Sequence, residues 1–188
     1  MLRLEKVAVV LTSGEMAKRS ALRRLVSDFG VFSRVCYPER RLREYQLEAA
    51  MPVLEAVERG QGGGYTVIFS RQAGKDELLA QLQAFLLVRY RVKGGNIVVG
   101  APTFKPQCLV SKRRLMGRAG TALHKGVVST QGYRVECGRA GVSFLSTEPT
   151  ANVRGETADV LLVANEAQDI ATDRWDSVFA SSAASPAT

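Results

Sequence analysis

Two short stretches of this chain carry residue types suited to chemistry on a phosphate. The first is Phe69-Ser70-Arg71-Gln72-Ala73-Gly74-Lys75-Asp76, a Gly-Lys pair set between a β-branched, aromatic run and a long apolar helical pattern. Backbone N–H groups at a helix N-terminus cradle anionic phosphate, a glycine lets the backbone approach it, and a lysine reaches the terminal phosphates. The spacing G-x-x-x-x-G-K-[ST] is met only in part. Phe69 stands at the first glycine and Asp76 at the hydroxyl position. The second stretch, Val160-Leu161-Leu162-Val163-Ala164-Asn165-Glu166-Ala167-Gln168-Asp169, is an apolar strand ending in polar and acidic residues. Such a strand delivers those residues to the carboxyl edge of a sheet, where ligands of open α/β folds bind.

The two half-motifs occur in the order and context of a P-loop ATPase. In that reading Ser70, Arg71, Gln72, Ala73, Gly74, Lys75 and Asp76 form the nucleotide loop, and Lys75 pairs with the β- and γ-phosphates of ATP. Glu166 is the base that polarises the attacking water. In the usual site a neutral Ser/Thr of the loop and an Asp on the strand serve Mg²⁺. Here those positions are Asp76 and Asn165, so the expectation is that the carboxylate serving Mg²⁺ has moved from strand to loop. Asp76, Asn165 and Glu166 are the candidate metal residues. The competing readings are a crippled metal site and a first-turn acid that only complements the helix dipole.

The elements that must position these residues follow from periodicity. Residues 14–29 read as an amphipathic helix, with Leu22, Leu25, Val26 and Phe29 on one face, Ser13-Gly14 as its start and Gly30 as its stop. A second helix runs from Leu42 to Val57, with Pro52 expected to kink or restart it. After the glycine-rich connector at 60–64, Tyr65–Phe69 reads as a buried strand. Leu78, Leu79, Leu82, Phe85 and Leu86 form the stripe of the next helix. Asn96–Gly100 is a strand, and 106–123 is a strongly basic helix. Tyr133–Cys137 and Val142–Ser146 make a hairpin across Gly138-Arg139-Ala140-Gly141. The strand at 159–164, a short acidic helix at about 171–179 and a frayed tail complete the order. The alternation predicts an α/β fold with a mostly parallel sheet flanked by helices.

The chain's 188 residues carry a net charge of +8 and are 46% hydrophobic, enough for a sizeable core. No apolar run approaches the roughly 18 residues of a spanning helix, and Val7–Leu11 is too short for a signal-peptide core. No membrane association is therefore expected. Cys36, Cys108 and Cys137 are odd in number and widely spaced, which fits reduced thiols in a cytoplasmic protein better than a disulfide framework. Charge is unevenly spread: residues 61–125 hold 11 Lys/Arg against 2 Asp/Glu. That bias points to a polyanion partner or to a solvated basic face. Lys112, Arg113, Arg114 and Arg118 on the basic helix are the candidate contacts to DNA phosphates, non-specific and salt-sensitive. His124 has no partner at metal-ligand spacing.

The loop Ser70-Arg71-Gln72-x-Gly74-Lys75 resembles the variant Walker A loop of phage terminase large subunits, the ATPases that drive DNA into proheads. Leu42-Arg43-Glu44-Tyr45-Gln46 resembles that family's adenine-recognition motif, Ala101-Pro102-Thr103 its motif Ia, and Ala151-Asn152-Val153-Arg154-Gly155 the Arg-Gly segment before Walker B. The resemblance covers about residues 28–180. It implies a RecA-like P-loop NTPase truncated after the Walker B strand, divided into an N-terminal helical appendage (1–36), a partial ATPase domain (37–180) and a flexible tail (181–188). It further implies Arg71 as a cis-acting arginine, worth about 10³–10⁵ in rate in other NTPases. Tyr45 and Gln46 are implied to stack on adenine and read its edge, although Tyr45 also fits an apolar helix face. The implied function is ATP hydrolysis in viral DNA packaging by a phage or prophage motor in the bacterial host cytoplasm. Its partners are double-stranded DNA, a portal and a small terminase subunit, and its cofactors ATP and Mg²⁺. The coupling motif and the nuclease domain are missing from the stretch. Alternatives are a superfamily-2 helicase-like ATPase and a non-catalytic nucleotide-binding remnant.

Overall fold

A helix that is apolar all round must be surrounded, and the run from Leu78 to Leu87 dictates the architecture accordingly. The computed structural model describes residues 13–122, 128–148, 156–175, 179 and 183. Helices α1 (Ser13–Ser27), α2 (Phe29–Cys36) and α3 (Glu44–Arg59) lead to α4 (Lys75–Tyr90), followed by strand β1 (Gly95–Ala101) and helix α5 (Leu109–Ala122). Strands β2 (Val128–Gln131), β3 (Arg134–Cys137), β4 (Ala140–Ser146) and β5 (Leu161–Ala164) follow, then α6 (Thr172–Trp175). The sheet order is β2-β3-β4-β1-β5.

The fold is α/β, but the sheet is mixed rather than mostly parallel. Strand β1 pairs in parallel with β4 and with β5, whereas β2-β3 and β3-β4 are antiparallel. Two hairpins, across Gly132 and Gly138 with left-handed φ of 54° and 59°, account for the antiparallel half. Period-two alternation sorts the side chains. Ile97, Val99, Val142 and Phe144 face a large core with α4, while Val98 and Leu145 face a smaller cluster with Ile170 and Phe179. The Phe179 ring lies against β1 where a Cβ on Gly100 would meet it at 2.7 Å, so only glycine fits there.

Four sequence expectations are corrected. The first helix ends before Gly30, because the Asp28 carboxylate accepts a hydrogen bond from the Val31 amide at 2.8 Å and caps α2. Gly30 is therefore interior to α2. Helix α3 runs through Pro52 without interruption. Pro52 and Glu48 are both exposed, so water serves the carbonyl that Pro52 cannot bond. Tyr65–Phe69 joins no ladder, and β2 is a strand that the periodicity did not reveal. The basic helix begins at Leu109, after an irregular turn over Phe104–Cys108. Val7–Leu11, His124, the Ala151–Gly155 segment and most of the tail lie outside the described residues.

Phe29 and Phe32 of α2 pack on Phe85 of α4 with ring centroids 5.3 and 5.2 Å apart, so α2 shares the core of the sheet. Among the described residues no helix is long and apolar enough to cross a membrane. Phe85→Ala should cost about 3–5 kcal/mol, read as a lowered urea midpoint. An unchanged midpoint would show that α2 and α4 do not share one core.

Candidate functional site

The carboxyl ends of β4, β1 and β5 form one edge, and the chain leaves β4 and β5 with the next amide tied to β1. Thr147 N–H donates to Ala101 O at 2.9 Å and Asn165 N–H to Gly100 O at 2.8 Å. Glu166 then takes a left-handed φ of 55°, which is uncommon for a residue with a Cβ and marks a turn held by its surroundings. Lys75 Nζ donates to its Oε1 at 2.5 Å and Gln168 Nε2 to its Oε2 at 2.7 Å. These two donors, Lys75 first, hold the Glu166 carboxyl below the usual glutamate range. Residues 91 positions apart in sequence are thereby joined across the sheet edge.

Lys75 is the first residue of α4, and Gly74 precedes it at a left-handed φ of 82°. The helix opens there, since the amides of Glu77 and Leu78 both donate to Gly74 O, and the N–H groups of its first residues have no intrahelical acceptor. Gln72 is also left-handed, at φ 63°. The loop is braced from behind by α3. Tyr45 OH donates to Ala73 O at 2.7 Å, and Gln46 Nε2 donates to Ala73 O at 3.3 Å and Gly74 O at 3.0 Å. Gln46 Oε1 accepts from the Arg43 amide at 2.9 Å. Both ends of its buried carboxamide are thus engaged by the protein. A Cβ on Gly74 would meet Gln46 Nε2 at 2.6 Å, so conformation and packing both require glycine. A cleft of 590 Å³ lies beside the loop, lined by Arg43, Tyr45, Phe69, Ser70, Arg71 and Gln72 among others. The Tyr45 and Phe69 rings stand edge to face there, 6.0 Å apart.

The chain matches no family model, no curated protein and no solved structure. The site therefore stands on its geometry. Asp76 points to α5, where Arg114 Nη1 pairs with its Oδ2 at 2.6 Å. Asn165 is buried, with Nδ2 at 3.5 Å from Ser111 Oγ. Among the described residues no three His, Cys, Asp or Glu side chains cluster as a metal cage. Mg²⁺ in nucleotide sites is held by one or two protein groups together with substrate phosphates. Asn165 turns its amide toward Ser111, and both Glu166 oxygens are engaged by Lys75 and Gln168.

On α5 the four candidate DNA contacts separate into two kinds. Arg118 is bound to Glu77 by two hydrogen bonds of 2.6 and 2.7 Å, and Arg114 is paired to Asp76. Lys112 reaches the Gly132 carbonyl, and Arg113 makes no ion pair among the described residues. Arg71, exposed in the loop, is likewise unpaired among them. The sequence reading missed Gln168 and Glu77. Gln168 sits inside the Asn-Glu-Ala-Gln-Asp motif two residues after Glu166, a spacing that lets both share one turn. Glu77 sits one residue past Asp76 and gave no signal, because its partner is 41 positions away.

Burial raises the Glu77 carboxyl, but hydrogen bonds from Arg118 and Gln81 outweigh it and leave the group below its ordinary 4.5. A depressed carboxyl stabilises the fold above the unfolded value and loses that contribution as pH falls through the folded one. Urea midpoints should therefore drop as pH goes below 4.5, and Glu77→Gln should show a shallower drop. An identical acid limb in both proteins would remove the Arg118 pair from the account. Gly74→Ala should cost about 1–2 kcal/mol for the left-handed conformation alone. Adding Gln46→Ala should recover the steric part only, read as non-additive midpoints.

Proposed function

We propose that the chain is the ATP-binding and ATP-hydrolysing module of a terminase-type DNA-packaging motor, built on a RecA-like P-loop core. The observation that carries this reading is the Lys75–Glu166 contact of 2.5 Å, which unites the Ser70-Arg71-Gln72-x-Gly74-Lys75 loop and the Asn165-Glu166 end of β5 at one sheet edge. Phosphate binds where α4 begins, through the open N–H groups of its first turn and the Lys75 ammonium. The triphosphate takes Lys75 from Glu166, which frees that carboxylate to orient and deprotonate water. Arg71, exposed in the same loop, faces the charge that builds on the transferring phosphoryl group. ATP with Mg²⁺ supplies that group and the divalent charge on it. The cleft flanked by Tyr45 and Phe69 takes the base. Lys112 and Arg113 carry the phosphate contacts to duplex DNA.

One observation favours a second reading, nucleotide binding without turnover: Asn165 is uncharged and Asp76 is held by Arg114. Turnover decides between them.

ATP with Mg²⁺ should raise the melting temperature by mass action, and Lys75→Ala should abolish the shift. Glu166→Gln should keep the shift and lower hydrolysis by about 10²-fold or more. A thermal shift that survives Lys75→Ala would remove the loop from the site. A shift without any hydrolysis in the unaltered chain would establish the second reading.

A further inference from the structure

Helix α4 has a second end, and a group of unpaired cations gathers there. Its 16 residues set Tyr90 about 23 Å from Lys75, at the amino edge where Gly95 of β1 faces Ala140 of β4. Arg89, Arg91, Lys93 and Arg139 are all exposed at this edge. Arg139 N–H donates to Arg91 O at 2.8 Å, and a Cβ on Gly94 would meet Arg139 Cβ at 3.5 Å. Lys93 Nζ stands 5.7 Å from the centroid of the Tyr90 ring, and the Arg89 charge acts on the hydroxyl of that tyrosine. None of the four makes an ion pair among the described residues, whereas Arg114 and Arg118 are both answered by acids. A helix C-terminus favours cations, but only Arg89 lies within α4.

Two further observations give this patch its character. Val92, between Arg91 and Lys93, is 76% exposed, an apolar centre inside a charged rim, which is the anatomy of a protein interface. Arg139 also lines a pocket of 390 Å³, together with Arg134, Asn96, Thr157 and Asp159 among others. Arg134 is spent on Glu136 and Glu156, so Arg139 is the open cation of the pocket. The Asp159 carboxylate accepts from the Asn96 amide through Oδ1, and its Oδ2 bonds nothing among the described residues. A cation and an acceptor thus stand in one pocket, which suits a carboxylate and an N–H from the same ligand.

We propose that this end of α4 docks an acidic segment of a partner protein. An apolar side chain of that segment rests on Val92, and its carboxylates meet Arg89, Arg91 and Lys93. One acidic residue enters the pocket, with its carboxylate on Arg139 and a backbone N–H on Asp159. The acids near the patch are what favour a peptide over DNA. A DNA backbone brings acceptors alone, and it would meet Asp159, and Glu58 beyond Tyr90, with repulsion on both sides. A peptide brings donors as well as carboxylates. Recognition of acidic motifs by arginine clusters is an established mode, and at exposed cations it weakens as salt rises. The proposal does not depend on the nucleotide reading, since the loop lies at the other end of α4.

The test is fluorescence anisotropy of a labelled peptide, Gly-Glu-Glu-Leu-Glu-Asp-Gly-amide, titrated with the whole chain at low salt. Arg91→Gln with Lys93→Gln should weaken binding about fivefold or more, and Val92→Ser about threefold or more, with melting temperatures unchanged. Serine for the leucine of the peptide should cost the unaltered chain a similar factor, and cost the Val92→Ser variant nothing further. Lys18→Gln with Lys105→Gln removes equal charge away from the patch and should leave binding intact. An equal loss in that pair would reduce the effect to net charge. A short DNA duplex that binds more tightly than the peptide, and weakens in the same patch variants, would assign the surface to nucleic acid. Either result overturns the proposal, as does a peptide that fails to bind.

Discussion

The burial of α4 is the constraint on which the rest of the molecule depends. Residues 80–87 are all buried, so the helix needs a sheet on one side and other helices on the remaining sides. Strands β1 and β4 supply the first and α2, α3 and α5 the second. Because α4 is fixed along the sheet, its N-terminus falls at the carboxyl edge, and Lys75 can only be there. The same burial has a cost. Gln81 Oε1 and Gln83 Nε2 lie inside without partners, a penalty that a packed apolar neighbourhood must offset.

From that placement the loop geometry follows. A loop entering a fixed helix must turn sharply, and Gly74 and Gln72 accept left-handed backbone to do so. The turn is then held from α3 by Tyr45 and Gln46 and from β5 by Glu166. Two elements thus converge on Ala73, Gly74 and Lys75, through two backbone carbonyls and one charge. Rigid support of this kind is what a phosphate-binding backbone needs, because its donors must already be aimed before the ligand arrives.

The parts of the fold legible in the sequence were those set by local pattern and strong burial. The α4 stripe, β1, β5 and the hairpin around Gly138 all stand where periodicity put them. What was not legible depends on partners distant in sequence. Tyr65–Phe69 has every local mark of a strand, but pairing is decided by a neighbour, and composition does not say whether the neighbour exists. Asp28 was equally opaque, since a carboxylate before a new helical turn reads as one more polar residue of a longer helix. The site shows the same division. Its loop and its strand end were visible as motifs, while their meeting through Lys75 and Glu166 and the ion pairs of Asp76 and Glu77 are tertiary facts.

Those last two ion pairs change the meaning of the basic segment. Its charge excess suggests a surface offered whole to a polyanion, yet two of its cations are already answered by acids at the start of α4. The pairs are unequal. Arg118 and Glu77 are 19% and 23% exposed and doubly hydrogen-bonded, whereas Arg114 and Asp76 are 45% and 37% exposed and joined by one bond. An exposed pair is worth at most about 1 kcal/mol, so a phosphate can draw Arg114 away while Arg118 stays as a strut between α4 and α5. Asp76 would then stand uncompensated next to Lys75. If anions bind both on α5 and at the loop, as the proposed function requires, a single carboxylate links them, and the sign of that link is repulsive unless a cation comes with the second anion.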